Sequence, residues 1–108
     1  MVSQEQAQQI LAQAQAFQQQ MQSILMQKES LKLQQAEIKK AIEEIAKASD
    51  SHAYKASGPI LIKVPKDEIK KELEDKSELI ATRMATLERS EKRVKDKIEE
   101  LREKISKE

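Results

Sequence analysis

Ala53-Tyr54-Lys55-Ala56-Ser57-Gly58-Pro59-Ile60-Leu61-Ile62-Lys63-Val64 decides the fold, because it differs in kind from everything on either side of it. Gly58 is the only glycine in the 108-residue chain, and a chain turns most freely where no Cβ restricts it. On each side of Gly58-Pro59 lies a short stretch with strand character: Ala53 to Ser57, and the apolar, largely β-branched Ile60 to Val64. The spacing predicts a β-hairpin over 53–64, with Ile60, Ile62 and Val64 on one face. Before it, Ala48-Ser49-Asp50-Ser51 reads as a polar loop. An isolated two-stranded hairpin is marginal in water, and its apolar face and open edges call for more strands. This sequence offers no others, so other subunits must supply them, and the middle of the chain is expected to be an oligomerisation element.

Outward from the hairpin the period changes from two to seven. Ile10, Phe17, Ile24, Leu31, Ile38 and Ile45 form an unbroken apolar column, accompanied by Ala14, Met21, Lys28, Gln35 and Ile42. The second half repeats the design with Leu73, Ile80, Leu87, Val94 and Leu101, accompanied by Ser77, Met84, Glu91, Ile98 and Ile105. Sustained 3,4 spacing is the coiled-coil pattern. No Pro or Gly interrupts residues 1–57, and Pro65, Asp67 and Glu68 suit the start of a second helix. Spacings such as Glu72→Lys76, Glu88→Lys92 and Glu91→Lys95 add about 0.3 kcal/mol each on an exposed helix.

The two seams are commensurate. Antiparallel pairing of residues whose numbers sum to 115 matches every layer: Ile10 faces Ile105, Ala14 faces Leu101, Phe17 faces Ile98, Ile24 faces Glu91, Lys28 faces Leu87 and Gln35 faces Ile80. The midpoint of that sum falls between Ser57 and Gly58, where the glycine stands. The expected fold is therefore mainly α: one domain over 1–108, a long antiparallel two-helix coiled-coil hairpin with arm helices at 1–48 and 66–107. The short β-hairpin lies at the bend. Arms of roughly 40 residues would extend about 60 Å. Lys28, Gln35, Ser77 and Glu91 intrude into the seam, where polar residues fix register at some cost in stability; Lys28 is expected to snorkel past Leu87 and Glu91 to reach solvent beside Ile24.

Composition fits an elongated helical molecule. Hydrophobic residues make up 38% and charged ones 36%, with one Phe, one Tyr and no Trp, too few aromatics for a compact core. Twenty basic and 19 acidic residues leave a net charge of +1, which argues against a nucleic-acid or anionic-lipid partner. The absence of cysteine excludes disulfides and thiolate metal sites. No apolar run approaches the roughly 20 residues of a membrane span, and the polar Ser3-Gln4-Glu5-Gln6 start lacks a secretory leader pattern, so a cytoplasmic protein is expected. The single His52 lies in a polar linker with no second His or Cys to complete a site. One glycine cannot build a phosphate loop. Neither an enzyme nor a cofactor or metal dependence is expected.

The surface of the arms then becomes the candidate for function. Leu11, Leu25 and Met26 fall outside the seam of the first arm, with Val2 and Ala7 near its end. They either broaden the seam as flanking positions or leave apolar surface open to a partner. The glutamine-rich stretch around them (Gln13, Gln15, Gln18, Gln19, Gln20, Gln22) and the adaptable Met21, Met26 and Met84 suit the second reading, although methionines also serve as ordinary core fillers.

The run from Phe17 through Met21, Ile24, Leu25, Met26 and Lys28 to Leu31 resembles the first helix of β-type prefoldin subunits, as does Glu37 to Ile45. Tyr54-Lys55-Ala56-Ser57-Gly58 followed by Ile60-Leu61-Ile62-Lys63 is similar to that family's hairpin signature, and Leu87-Glu88-Arg89-Ser90-Glu91-Lys92-Arg93 to its second arm. A single β-hairpin matches the β-type; the α-type has two. The resemblance implies a hexamer of two α-type and four β-type subunits. In it the hairpins join an intersubunit double β-barrel from which the arms hang. It implies an ATP-independent chaperone that holds unfolded polypeptide at the arm tips and delivers it to a group II chaperonin. On this view Ile10, Leu11, Ala14, Phe17, Ile98, Leu101 and Ile105 are the client-binding candidates. Tyr54, Gly58, Ile60, Leu61, Ile62 and Val64 are the oligomerisation residues, and Arg102 to Glu108 is a chaperonin contact. A passive coiled-coil scaffold or a filament-forming protein is the alternative.

Overall fold

A computed structural model describes residues 3–106. The elements run α1 (Gln4–Lys47), β1 (His52–Ser57), β2 (Ile60–Pro65) and α2 (Lys66–Ser106). The chain is mainly helical, with two long helices flanking a short antiparallel hairpin. Met1, Val2, Lys107 and Glu108 lie outside the described residues, so the ends expected for the two arm helices and for the chaperonin contact are not described, nor is Val2 as an apolar end residue.

The chain divides into two compact units. A helix-only unit combines residues 1–30 with 84–108, and a hairpin unit covers 31–83. The expected seams carry the burial in both. In α1 every residue that is not exposed belongs to the two predicted columns, apart from Ala41. In α2 the same holds up to Leu101, with Lys66, Ile69 and Ser90 as additions. Ile24, Val94 and Leu101 form the buried core of the helix-only unit, and Leu31 and Ile80 that of the hairpin unit. Five buried side chains among the described residues are few, because a pair of helices can shield only the stripe between them. Ile105, placed opposite Ile10 by the seam, is exposed; it lies in the last turn of α2.

The helix ends are built by local chemistry. Ser3 precedes the first turn of α1: its Oγ accepts from the Gln6 amide at 3.1 Å, and its own amide donates to Gln6 Oε1 at 2.9 Å. This reciprocal capping box satisfies two amides that the helix itself leaves unpaired. At the other end of α1, Lys66 Nζ donates to the Ala48 carbonyl at 2.6 Å, a cation on the negative end of the helix dipole. The Lys66 amide also donates to the Ser51 carbonyl at 2.9 Å, so one residue ties the 48–51 loop closed.

The strands pair from His52↔Pro65 to Ser57↔Ile60, leaving Gly58-Pro59 as a two-residue turn. Gly58 has φ of 60° and, among the described residues, no non-glycine residue has positive φ, which is the sign pattern of a type II′ turn with glycine first.

Candidate functional site

The hairpin has one sheet of two strands among the described residues, so each strand keeps one edge without a neighbour. Residues directly opposite in an antiparallel pair share a face. One face carries Ala53, Lys55, Ser57, Ile60, Ile62 and Val64, the other His52, Tyr54, Ala56, Leu61, Lys63 and Pro65. Val64 and Ala53 are half-buried. Ile60 and Ile62 are exposed. The second face is apolar as well: Leu61 is 71% and Tyr54 67% exposed. Period-two reading of Ile60, Ile62 and Val64 alone passes over Leu61 and Tyr54 on the opposite face. Lys55 Nζ reaches Glu72 Oε2 at 2.9 Å, joining β1 to α2 on the surface of this unit.

In the helix-only unit the client-binding candidates separate into two groups. Leu11 is 60% exposed and Ile105 58%. Ile10, Ala14, Phe17 and Ile98 are half-buried, and Leu101 is buried at 6% exposure. Surface that a partner can touch therefore comes from Leu11 and Ile105, joined by Leu25 and by Met26, at 74% the most exposed large apolar side chain. Among these three α1 residues Leu25 is the most covered, at 47% exposure, and Met26 the least.

Two of the polar intrusions, Lys28 and Glu91, pair with each other. Lys28 passes Leu87 and donates to Glu91 Oε2 at 2.8 Å, one turn beyond its expected partner. Its ammonium pKa is raised, chiefly by that hydrogen bond and further by the charges of Glu91 and Glu88, with partial burial opposing them. In the hairpin unit Gln35 Nε2 donates to the Ser77 carbonyl at 2.9 Å, while Gln35 Oε1 is buried without a protein partner. The sequence signal for the Lys28–Glu91 bond was two long, oppositely charged side chains in adjacent layers. Glu91 does not simply escape to solvent beside Ile24. The Ser3-x-x-Gln6 box was legible from its spacing too, yet column counting alone does not find it.

His52 is exposed, its Nδ1 2.9 Å from Ser51 Oγ. Among the described residues no His, Cys, Asp and Glu gather in a group able to hold a metal ion, and no helix is long and apolar enough to cross a membrane.

Comparison with known proteins places this geometry. The family model described as prefoldin subunit matches residues 8–108. The crystal structure of the prefoldin beta subunit from Thermococcus strain KS-1 is 37% identical, covers 94% of this chain and 90% of that one, and superposes with a TM-score of 0.88. The prefoldin beta2 subunit of the same strain, at 23% identity and a TM-score of 0.74, shares the fold. Among curated relatives, prefoldin subunit beta of Methanococcus vannielii is 40% identical over 59 residues, 55% of this chain and 52% of that protein. Prefoldin subunit beta of Pyrococcus abyssi is 37% identical over 56 residues, 52% and 48% respectively. The match spans about half the length of these curated relatives.

Proposed function

The chain belongs to the prefoldin family, and from that premise we propose that it is a β-type subunit of an ATP-independent chaperone, with no catalytic activity of its own. Residues 1–108 act as one domain. Their hairpin enters an intersubunit β-barrel through Tyr54, Gly58, Ile60, Leu61, Ile62 and Val64, in a cytoplasmic hexamer of two α-type and four β-type subunits. The helix-only unit holds unfolded polypeptide, which is then passed to a group II chaperonin through the segment after Arg102. Leu11 and Ile105 lead the client contacts because they are already in solvent. Ile10, Ala14, Phe17 and Ile98 contribute where the seam opens, and Leu101 only if it opens fully.

The observation that carries this reading is the coexistence of exposed apolar side chains on the helix-only unit with a hairpin open at its edges. Large apolar groups left in solvent mark interaction surfaces, and an unpaired strand edge marks an assembly surface. The test is aggregation of a chemically unfolded client with and without the chain and an α-type subunit. Suppression at stoichiometric amounts without nucleotide is expected. No suppression, with the assembly formed, would leave a passive scaffold.

A further inference from the structure

The outer face of α1 in the helix-only unit has a symmetry that a client-binding role does not require. Between Glu5 and Lys28 the sequence contains no charged residue. Off the seam, this stretch reads Leu11-Ala12, Gln15, Gln18-Gln19, Gln22, Leu25-Met26, with steps of 1, 3, 3, 1, 3, 3 and 1 residues. All eight are exposed. At 3.6 residues per turn these positions form one face, centred about 130° around the helix from the seam, with Gln15 and Gln22 on its midline. The pattern is a palindrome about the bond between Gln18 and Gln19. Rotation by a two-fold axis there sets Leu11 against Met26 and Ala12 against Leu25. It sets Gln15 against Gln22 and Gln18 against Gln19.

We propose that this face is an isologous docking surface for α1 of a second copy of this chain, packed antiparallel. An isologous contact must be complementary to itself, and a palindromic face meets that condition at every layer. Apolar pairs close both ends, and the central glutamines each carry an amide donor and an acceptor to exchange across the axis. The absence of charge matters as much. On α2 of the same unit, two-fold packing of charged runs such as Arg89, Lys92 and Arg93 would bring like charges together and require their desolvation; on this α1 face nothing repels and no ion loses its water. The face runs about 22 Å from Leu11 to Met26, less than a standard protein interface, so a single contact is weak and several arms acting together make it effective. The proposal uses neither an unfolded polypeptide nor the hairpin, but it shares Leu11 with the client contacts proposed above, so self-docking and client holding compete at that residue.

The sequence has no cysteine, so introduced thiols report without background. Full-length Gln15→Cys and Gln22→Cys variants, distinguished by a mass tag, are oxidised mildly, separately and mixed. Facing residues cross-link, so the mixture should form the mixed disulfide at least about tenfold faster than either variant forms its own. Like positions lie about 10 Å apart along the axis, past disulfide reach. Adding Leu25→Glu with Met26→Glu to both should bring the mixture down to the level of the separate variants while circular dichroism stays helical. Mixed disulfide no faster than the separate ones overturns the proposal, as does a yield indifferent to the two glutamates. If the mixture fails to cross-link while an unfolded client shields the introduced thiols from a maleimide, the face belongs to the client and self-docking is wrong.

Discussion

The hairpin unit and the helix-only unit both leave apolar side chains in solvent, but they leave different things beside them. Around Ile60, Leu61 and Tyr54 the backbone itself is unfinished, because each strand keeps an edge of donors and acceptors with no strand to meet. Around Leu11, Leu25 and Met26 the backbone is complete, since a helix pairs its own amides and carbonyls. The first kind of surface demands a partner with strands, in register and of fixed number. The second asks only for apolar contact, which has no direction and tolerates many partners. Strand pairing and apolar contact thus call on different physics, and one short chain presents both kinds of surface.

The largest effect expected from breaking this contrast is on the hairpin. Ile62→Asp puts a charge on a face that the proposed barrel buries. The mass measured by light scattering on mixing with an α-type subunit should fall to that of free subunits, with helicity unchanged. Leu61→Asp should do the same, because Leu61 and Tyr54 leave apolar surface in solvent on the second face too. Retention of the full assembly by the Leu61 variant alone would reduce the hairpin to a one-faced element.

The helix-only unit should show its own division between structure and surface. Leu101→Ala removes a buried side chain and should cost about 2–5 kcal/mol, at the lower end if the two helices close over the gap. Leu11→Ala should move stability by no more than about 0.5 kcal/mol while weakening client holding. Thermal unfolding and the aggregation assay on the two variants separate the roles. Equal destabilisation by both would return Leu11 to the seam.

Most of the fold was legible in the sequence because its two periods are long and uninterrupted. Columns such as Ile10 to Ile45 and Leu73 to Leu101 need no tertiary information, and Gly58 marks the turn unaided. What the columns could not convey is reach. Spacing places Cα atoms in layers, but Lys28 is long enough to leave its layer for Glu91, and Gln35 leaves its own for the Ser77 carbonyl. Nor does a column say where coverage ends: Ile105 continues the pattern yet is exposed, while Leu101, one turn earlier, is buried. The candidate surface was less legible for the same reason, since Leu11 and Leu101 look alike as letters and differ only in what stands over them.

A smaller effect is expected at the turn. Nothing lies within 4 Å of a Cβ built on Gly58, so Gly58→Ala meets no clash, but its φ of 60° strains any L side chain. A cost of about 1–2 kcal/mol follows, confined to the hairpin unit. It should appear as faster amide exchange in β1 and β2, without change around Ile24 or Val94.

The finest distinction concerns the Lys28–Glu91 bond, which belongs to the helix-only unit alone. The raised Lys28 pKa means that the folded state holds this proton more tightly than the unfolded one. The contribution to stability is therefore fully present below the ordinary lysine value of 10.5 and is lost as pH rises through the higher folded value. Unfolding midpoints measured from pH 8 to beyond about 11 should fall for the native chain, and less steeply for a Lys28→Met, Glu91→Met double variant. The double variant is the right comparison, since removing Glu91 alone leaves the half-buried Lys28 ammonium without the carboxylate that accepts its hydrogen bond and destabilises wherever that ammonium is charged. If the double variant matches or exceeds the native chain at neutral pH, the pair serves register and not strength. An apolar replacement in two layers would then allow the helices to slip, visible as broadened distances between spin labels on α1 and α2 of this unit. Unchanged distances together with unchanged stability would leave the Lys28–Glu91 pair with no structural task, and the seam would owe its register to the apolar layers alone.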